Sequence, residues 1–242
     1  MEPKCGYCEL LGKKPHCNRC RLFKDGEERS PQQINMSLDE LIEAFRNDET
    51  IEDNFVTGDY LYVELYTGEK IKIIYLDTHK DKITGTDETA KGTFIITGIK
   101  GRFRKSSINS NKLSDCEIDK QFIPAFMRLL PQNLLDNIKA VDKKVYSGGS
   151  SNGELLTISR KLWLLSDIEY FGECHHSYAG EGEQYNYFTK GAQTRQLGDY
   201  IFTRSPCTGN SGYVCIVDEG GSYYYIYADS FIGGASAFVS NQ

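Results

Sequence analysis

Long apolar runs are missing from this sequence. None of its apolar stretches approaches the roughly 18 residues that are needed to span a bilayer, so we expect no membrane insertion. The segment from Met1 to Cys17 has no apolar core of the kind that a signal peptide requires. We therefore expect no signal peptide and a product that starts in a cytoplasm.

An excess of positive charge and the common catalytic motifs are missing as well. The net charge is −6, with 28 Lys and Arg against 34 Asp and Glu, so phosphate backbones should repel the chain and a nucleic-acid partner is not expected. The sequence has no nucleophile elbow, phosphate-binding loop or dinucleotide-binding motif, and no acidic cluster points to calcium. We expect a globular protein that is not an enzyme.

Four of the eight cysteines form a regular pattern. Cys5, Cys8, Cys17 and Cys20 have the spacing C-x2-C-x8-C-x2-C, and two such turns can bring four thiolates around one tetrahedral zinc ion. The pattern predicts a structural zinc knuckle that folds with its metal. A redox-active pair or a reduced, unstructured tail is the alternative.

The zinc knuckle is expected to bind a protein. Residues 1–24 carry six basic and two acidic residues, but four thiolates on one divalent ion contribute two negative charges, so attraction to nucleic acid would be weak. We expect residues 1–33 to form the zinc-knuckle module and a linker, and to dock on a protein partner.

A capping box begins the next segment. Ser37 can cap a helix whose Glu40 reaches back to it, and the apolar residues from Leu38 to Phe45 fall on one helical stripe. We predict an amphipathic helix within residues 34–55 and a main domain at residues 56–242.

The main domain is predicted to be α+β. From Gly58 the sequence alternates, with a hairpin turn at Thr67-Gly68, and residues 92–103 continue as a further strand. Residues 119–144 return to helical spacing, with Ile138 on the apolar stripe and Pro131 as an interruption.

The second half of this domain has less regular patterning. Leu162–Leu165 predict a buried strand that ends at Ser166 and passes into a short turn or helix. Residues 172–222 have no recognisable periodicity and are predicted to be loop-rich, and such long loops are often functional.

Three short motifs follow one another along the main domain. Their residues are Leu164, Leu165, Ser166 and Glu169, then Arg204, Ser205 and Pro206, and finally Gly234, Ala237 and Phe238. In this order they resemble the motifs of an uncharacterised domain family of gut bacteria and their phages, and the resemblance covers roughly residues 55–240. The chain departs from that family at Ile201 and Phe202, where tryptophans are common, and at Ser236, which replaces a proline.

The resemblance implies a C-type-lectin-like fold, with a loop-rich face that displays a ligand-binding surface. Some proteins similar to this family are variable products of diversity-generating retroelements, in which adenine-directed mutagenesis rewrites a C-terminal patch. The variable residues of such proteins lie among tyrosine, serine, asparagine, aspartate and glycine. The stretch from Cys207 to Phe231 has this composition.

The stretch from Tyr223 to Tyr227 has four tyrosines in five residues. On a strand, Tyr223, Tyr225 and Tyr227 share one face, while Ile226 and Ala228 on the other face can enter the core. Tyrosine suits binding surfaces because its ring is large, stiff and amphipathic, so we predict a ligand-binding surface. Cross-strand aromatic packing is the alternative. The predicted surface also includes Asn210, Ser211, Tyr213, Asp218 and Asp229.

Cys174, His175 and His176 form a second polar group, which could be a thiol–imidazole site or a second metal site. Adjacent residues on an extended chain point apart, and no partner of known spacing completes either arrangement. We interpret this group as a polar cluster in a loop.

These observations together predict a ligand-binding or display protein. The resemblance points to a phage receptor-binding protein, an adhesin or a virion accessory protein that binds a host-surface protein or glycan, in the virion or the host cytoplasm. The zinc knuckle would anchor it to the virion or another partner, and a homo-oligomer would add avidity. An intracellular zinc-containing interaction or regulatory protein is the alternative, and a metal- or cysteine-dependent enzyme is a third interpretation.

Retroelement diversification has a test in the flanking DNA. We expect a near-copy of the segment that encodes Cys207 to Gln242, which differs from it almost only at adenines and lies beside a reverse transcriptase gene. Sequencing of the flanking DNA checks this, and a locus without a near-copy would leave a fixed binding surface.

Overall fold

The computed structural model of the protein describes residues 23–24, 27–46, 55–149, 153–198, 200–233 and 236–240. These residues form small antiparallel sheets and a few short helices, so the predicted α+β class is confirmed. The four cysteines predicted to bind zinc lie outside the described residues, and so does Gly234 of the third motif. None of the described helices is long and apolar enough to cross a membrane.

The described strands are numbered here along the chain. They are β1 (Phe23–Lys24), β2 (Glu27–Glu28), β3 (Tyr60–Glu64), β4 (Lys70–Asp77), β5 (Gly92–Thr97), β6 (Ile138–Lys139), β7 (Val141–Tyr146), β8 (Leu155–Arg160), β9 (Leu162–Trp163), β10 (Ile201–Pro206), β11 (Tyr213–Val217), β12 (Tyr223–Tyr227) and β13 (Ser236–Ser240). The described α-helices are α1 (Leu38–Arg46), α2 (Ile123–Met127), α3 (Gln132–Asn137) and α4 (Asp167–Phe171).

The largest sheet has the strand order β3-β4-β5-β13-β6, and β9 also pairs with β13. A second sheet has the order β10-β11-β12, and β1 with β2 and β7 with β8 form two hairpins. The pairs between these strands are antiparallel. The hairpin predicted around Thr67-Gly68 is present as β3 and β4, and Gly68 there has a φ of 82°, which suits glycine.

The predicted capping box and helix are confirmed in α1. The backbone N–H of Ser37 donates to Glu40 Oε2 at 2.7 Å, and the N–H of Glu40 donates to Ser37 Oγ at 3.2 Å. The apolar stripe of the helix is buried at Leu41, Ile42 and Phe45. The helix therefore begins where its sequence signal places it and packs through the predicted face.

Helix α1 packs closely on the largest sheet through Phe45. The Phe45 ring lies 5.1 Å from the Phe94 ring and 5.7 Å from the Tyr75 ring, between centroids. A Cβ added at Gly92 would lie only 2.2 Å from Phe45 Cε1. The missing side chain of Gly92 thus creates the space that the Phe45 ring fills.

The segment just before α1 is held against the same sheet. The Arg29 guanidinium makes an ion pair with Asp59, and the backbone N–H of Gln32 donates to Asp59 Oδ1 at 2.9 Å. Gln33 then forms a parallel bridge with Tyr60. The end of the stretch predicted as a linker is therefore fixed on the edge of β3.

The segment with helical spacing after residue 118 forms three short helical elements instead of one helix. A π-helical turn at Ile118–Phe122 leads into α2, and α3 begins after Pro131, where an interruption was predicted. Phe126, Leu130 and Leu134 are buried in the core. Ile138 is also buried, but the assignment of this residue to the helical stripe was wrong because it begins strand β6.

The segment from 172 to 222 is more regular than its sequence indicated. It contains short 3-10 turns at Asn186–Lys190 and Ala192–Arg195, and also strands β10 and β11. All six residues of β10 are buried. Burial on both faces of a strand normally gives a continuous apolar run, but Thr203, Arg204 and Ser205 of β10 are polar and buried, which explains why the sequence had no signal for this strand.

Candidate functional site

Strand β12 carries the predicted tyrosine surface at the edge of its sheet. Tyr227, Tyr225 and Tyr223 lie opposite Tyr213, Cys215 and Val217 of β11, so the three tyrosines share one face. Their exposed fractions are 44% for Tyr223, 39% for Tyr225 and 51% for Tyr227. We call Tyr213, Tyr223, Tyr225 and Tyr227 the tyrosine face.

The two histidines of the polar loop pack on this tyrosine face. The His175 ring stacks on the Tyr223 ring at 3.7 Å with an interplanar angle of 19°, and the His176 ring meets Tyr225 edge-on at 4.8 Å. His176 also contacts Tyr223 at 5.6 Å. The expectation that adjacent residues of this loop point apart was therefore wrong, because both imidazoles reach the same tyrosine.

A buried carboxylate fixes the histidine loop. Asp167 is 1% exposed, and its Oδ2 accepts hydrogen bonds from the backbone N–H of His175 at 3.1 Å and from the Ser177 hydroxyl at 2.8 Å. The backbone N–H of Thr208 donates to the His176 carbonyl at 2.7 Å. Hydrogen bonds to the scaffold therefore hold the loop at both histidines.

The other end of the tyrosine face is also ordered by aromatic contacts. The rings of Tyr213 and Tyr227 lie 4.4 Å apart, and a hydrogen bond between their hydroxyls raises the pKa of Tyr213 to about 12. Tyr213 and Tyr227 therefore show the cross-strand aromatic packing that was the alternative to a binding surface. Because Tyr227 is still about half exposed, packing on one side leaves area for a ligand on the other.

The remaining residues of the predicted surface lie at the two ends of the tyrosine face. Asn210 and Ser211 belong to the turn that leads into Tyr213, and Asp218 closes the turn between β11 and β12 by accepting from the backbone N–H of Ser222 at 2.7 Å. Asp229 follows β12 and is exposed. The structure therefore places these predicted residues in the turns beside β11 and β12, at opposite ends of the strands.

No sequence pattern pointed to Asn111, which organises one end of this site. Its side chain is 1% exposed, and its Nδ2 donates to the carbonyls of Asn210 at 2.8 Å and Tyr213 at 3.0 Å. Its Oδ1 accepts from the backbone N–H of Gly149 at 2.7 Å. One buried amide therefore fixes the turn at Asn210 relative to the rest of the fold.

The Cys174 thiol lacks the environment of an activated nucleophile. Burial and the nearby carboxylates of Asp167, Glu181 and Glu173 raise the pKa of Cys174, whereas a reactive cysteine has a lowered pKa. Within the described residues, no group of three or more His, Cys, Asp or Glu side chains is arranged to hold a metal ion.

Two of the sequence motifs meet in a buried ion pair. Arg204 Nη1 lies 2.5 Å from Glu169 Oε2, and Arg204 Nη2 lies 2.9 Å from Glu169 Oε1. Both side chains are at most 5% exposed. The motif residues Glu169 and Arg204 thus form one bidentate contact, which is the strongest geometry for such a pair.

Further charged groups complete the network around this pair. Lys143 Nζ contacts Glu169 Oε1 at 2.5 Å and Asp81 Oδ1 at 2.6 Å, and the Tyr185 hydroxyl donates to Asp81. Burial alone would raise the pKa of Glu169, but Arg204 and Lys143 outweigh it and lower that pKa. Glu169 is therefore charged at neutral pH and is matched by two cations.

A polar cavity of about 250 Å³ borders the network and is lined by Lys143, Glu169 and Tyr185 among others. The polar groups beside this cavity have hydrogen-bond partners within the protein. Lys143 Nζ also donates to Tyr185 at 3.0 Å, and Ser205 Oγ donates to Glu181. We interpret the network as structural support for the site.

Removal of the Glu169 charge should destabilise the protein strongly. We expect Glu169→Gln to lower the free energy of unfolding by about 3–5 kcal/mol at pH 7, because Arg204 and Lys143 lose their shared counter-charge. The folded pKa of Glu169 is lowered, so its contribution is present above the unfolded pKa of about 4.3 and is lost as the pH falls through the folded value. The pH dependence below about 4.3 should be weaker in the variant.

Urea denaturation at several pH values measures this effect. The matched control is Glu183→Gln, since Glu183 is 82% exposed in its pair with Lys80 and should change stability by less than about 0.5 kcal/mol. Equal stability of the Glu169→Gln variant and the unaltered protein at pH 7 would contradict the structural role of the pair.

Comparisons with known proteins identify one family for this chain. No curated protein and no solved structure matches the sequence. The family DUF6273, described as a domain of unknown function, matches residues 82–232, which is more than half of the chain. The matched range includes the buried ion pair and the tyrosine face, and the chain belongs to the DUF6273 family.

Proposed function

We propose that this chain is a ligand-binding protein that uses the tyrosine face to bind a protein or glycan of a host surface. In this proposal it is a phage-associated receptor-binding or virion accessory protein. The observation that carries the proposal is the cluster of half-exposed aromatic rings on a strand whose neighbouring elements are buried and hydrogen-bonded.

The physical state of the tyrosine face supports binding. An exposed tyrosine loses side-chain freedom when a ligand binds, and this loss opposes binding. Here Tyr223 is already stacked on His175, and Tyr227 is already packed on Tyr213. Much of the ordering cost is therefore met before a ligand arrives, and the exposed sides of the rings are available to contact it.

The C-type-lectin-like fold and the diversification of the C-terminal segment are further parts of this proposal. They are supported by the α+β content, by the loop-rich stretch from Gly172 to Tyr200 and by the position of the tyrosines on a strand edge. Residues of β12 that face outward can change with little effect on the core, as a variable surface requires.

We also propose that Cys5, Cys8, Cys17 and Cys20 bind one zinc ion and that this module docks the protein on a virion or another protein. The location of the protein distinguishes this proposal from its main alternative, an intracellular zinc-containing protein. Recovery of the chain in purified phage particles would support display, whereas recovery in a cytosolic complex would support an intracellular zinc-containing regulatory protein.

Loss of the tyrosine rings should abolish binding without unfolding the protein. We expect the triple change of Tyr223, Tyr225 and Tyr227 to alanine to remove binding to a glycan array and to fixed bacterial cells. The melting temperature should fall by only a few degrees, since these rings are 39–51% exposed. Labelled protein and a thermal unfolding curve provide the two measurements.

The matched control uses exposed tyrosines from another part of the fold. Tyr62 and Tyr66 are 49% and 67% exposed, and their joint change to alanine should leave binding intact. A triple variant that does not fold would place the tyrosines in the core, and a triple variant that binds normally would move the binding site elsewhere.

The zinc proposal predicts a metal content. The full-length protein should contain about one zinc ion per chain, and joint replacement of Cys5 and Cys17 by serine should remove it because only two thiolates remain. Elemental analysis by mass spectrometry measures this. Cys174→Ser is the control and should keep the metal, and a protein without zinc at full length would overturn the proposal.

A further inference from the structure

Another concave site shares no residue with the tyrosine face or with the polar cavity at the buried ion pair. It is an open cleft of about 360 Å³ between the segment 102–104, the π-helical turn and Phe231. Its apolar walls are Phe103, Ile118, Phe122 and Phe231. The cleft is within the range of about 300–1,000 Å³ that small-molecule sites occupy.

On one side of the cleft two phenylalanine rings pack against each other, and on the other side the Phe231 ring is exposed. The rings of Phe103 and Phe122 lie 3.9 Å apart, and Phe103 is also bridged through its backbone to Ile232. Phe231 is 53% exposed. A flat apolar group entering the cleft would bury the Phe231 ring and contact the fixed rings.

Two arginines give the cleft a positive charge. The guanidinium carbon of Arg104 lies 5.3 Å from the centre of the Phe231 ring, and Arg104 Nε donates to Glu117 Oε2 at 3.0 Å. Arg102 is exposed, and its guanidinium makes no hydrogen bond or ion pair with the part of the chain that the structure describes. Two cations and one anion leave a formal charge of +1 at the cleft.

We propose that this cleft binds a small aromatic carboxylate. The aromatic ring packs against the phenylalanines, where offset or edge-on contacts are favourable. The carboxylate accepts hydrogen bonds from Arg102 and from the Nη atoms of Arg104, which suit planar carboxylates. A neutral aromatic compound would use only the apolar half of the site.

Glu117 would compete with the carboxylate of the ligand for Arg104. It holds Arg104 on one side, and its Oε1 accepts from the backbone N–H of Ser107 at 3.0 Å. Glutamine at this position keeps an acceptor for Ser107 but removes the negative charge that repels a carboxylate. The variant Glu117→Gln should therefore bind the ligand more tightly, which a merely loosened fold would not do.

The experiment titrates the full-length protein with 2-naphthoate and with the neutral 2-naphthalenemethanol by isothermal titration calorimetry. We expect 2-naphthoate to bind roughly tenfold more tightly than the alcohol, as charged hydrogen bonds imply. Arg102→Gln should weaken 2-naphthoate binding by about fivefold or more and leave the alcohol unchanged. Phe231→Ala should weaken both compounds, and Glu117→Gln should strengthen 2-naphthoate binding severalfold.

Arg128→Gln is the matched control, since Arg128 is an exposed arginine that does not line the cleft, and its binding should equal that of the unaltered protein. The proposal is overturned if neither compound binds, if the alcohol binds as tightly as 2-naphthoate, or if Arg128→Gln weakens binding as much as Arg102→Gln. Arg102 is exposed, so its replacement tests the site without disturbing the core.

Discussion

The buried ion pair between Arg204 and Glu169 is the interaction on which the second half of the fold depends. Beyond Glu169, Arg204 donates to the backbone carbonyls of Leu164, Lys144 and Glu181. One side chain thus joins β10 to β7, to the segment after β9 and to a loop more than twenty residues upstream. A charge this deeply buried must have its partners, because an unpaired buried ion is costly by several kcal/mol.

The candidate binding surface is built on this support. Glu169 belongs to α4, and the first residue of that helix, Asp167, holds the histidine loop against the tyrosines. On the other side of the pair, β10 continues through β11 to β12. The positions of the aromatic rings therefore depend in part on buried charged groups of the scaffold on which they are carried.

The sequence predicted the features that local chemistry determines. The cap at Ser37, the break at Pro131 and the shared face of the tyrosines each depend on residues within a few positions of one another. The contact of Arg204 with Glu169 was not predictable, because the motifs that contain them are separated by 35 positions and have no local signature. The histidine contact with Tyr223 was missed for the same reason, and the packing of Asn111 depends on partners about a hundred positions away.

Strand β13 lies in the interior of the largest sheet, between β5 on one side and β6 with β9 on the other. The hairpins of β3, β4 and β5 come from a continuous stretch and can pair early, whereas the gap beside β5 stays open until residues 236–240 enter it. Synthesis therefore has to pass the tyrosine strand before the sheet can close. The chain before the tyrosine strand belongs to the same sheet as that strand, and the chain after it enters the largest sheet as β13, so closure of the largest sheet fixes the segment that follows the tyrosine face.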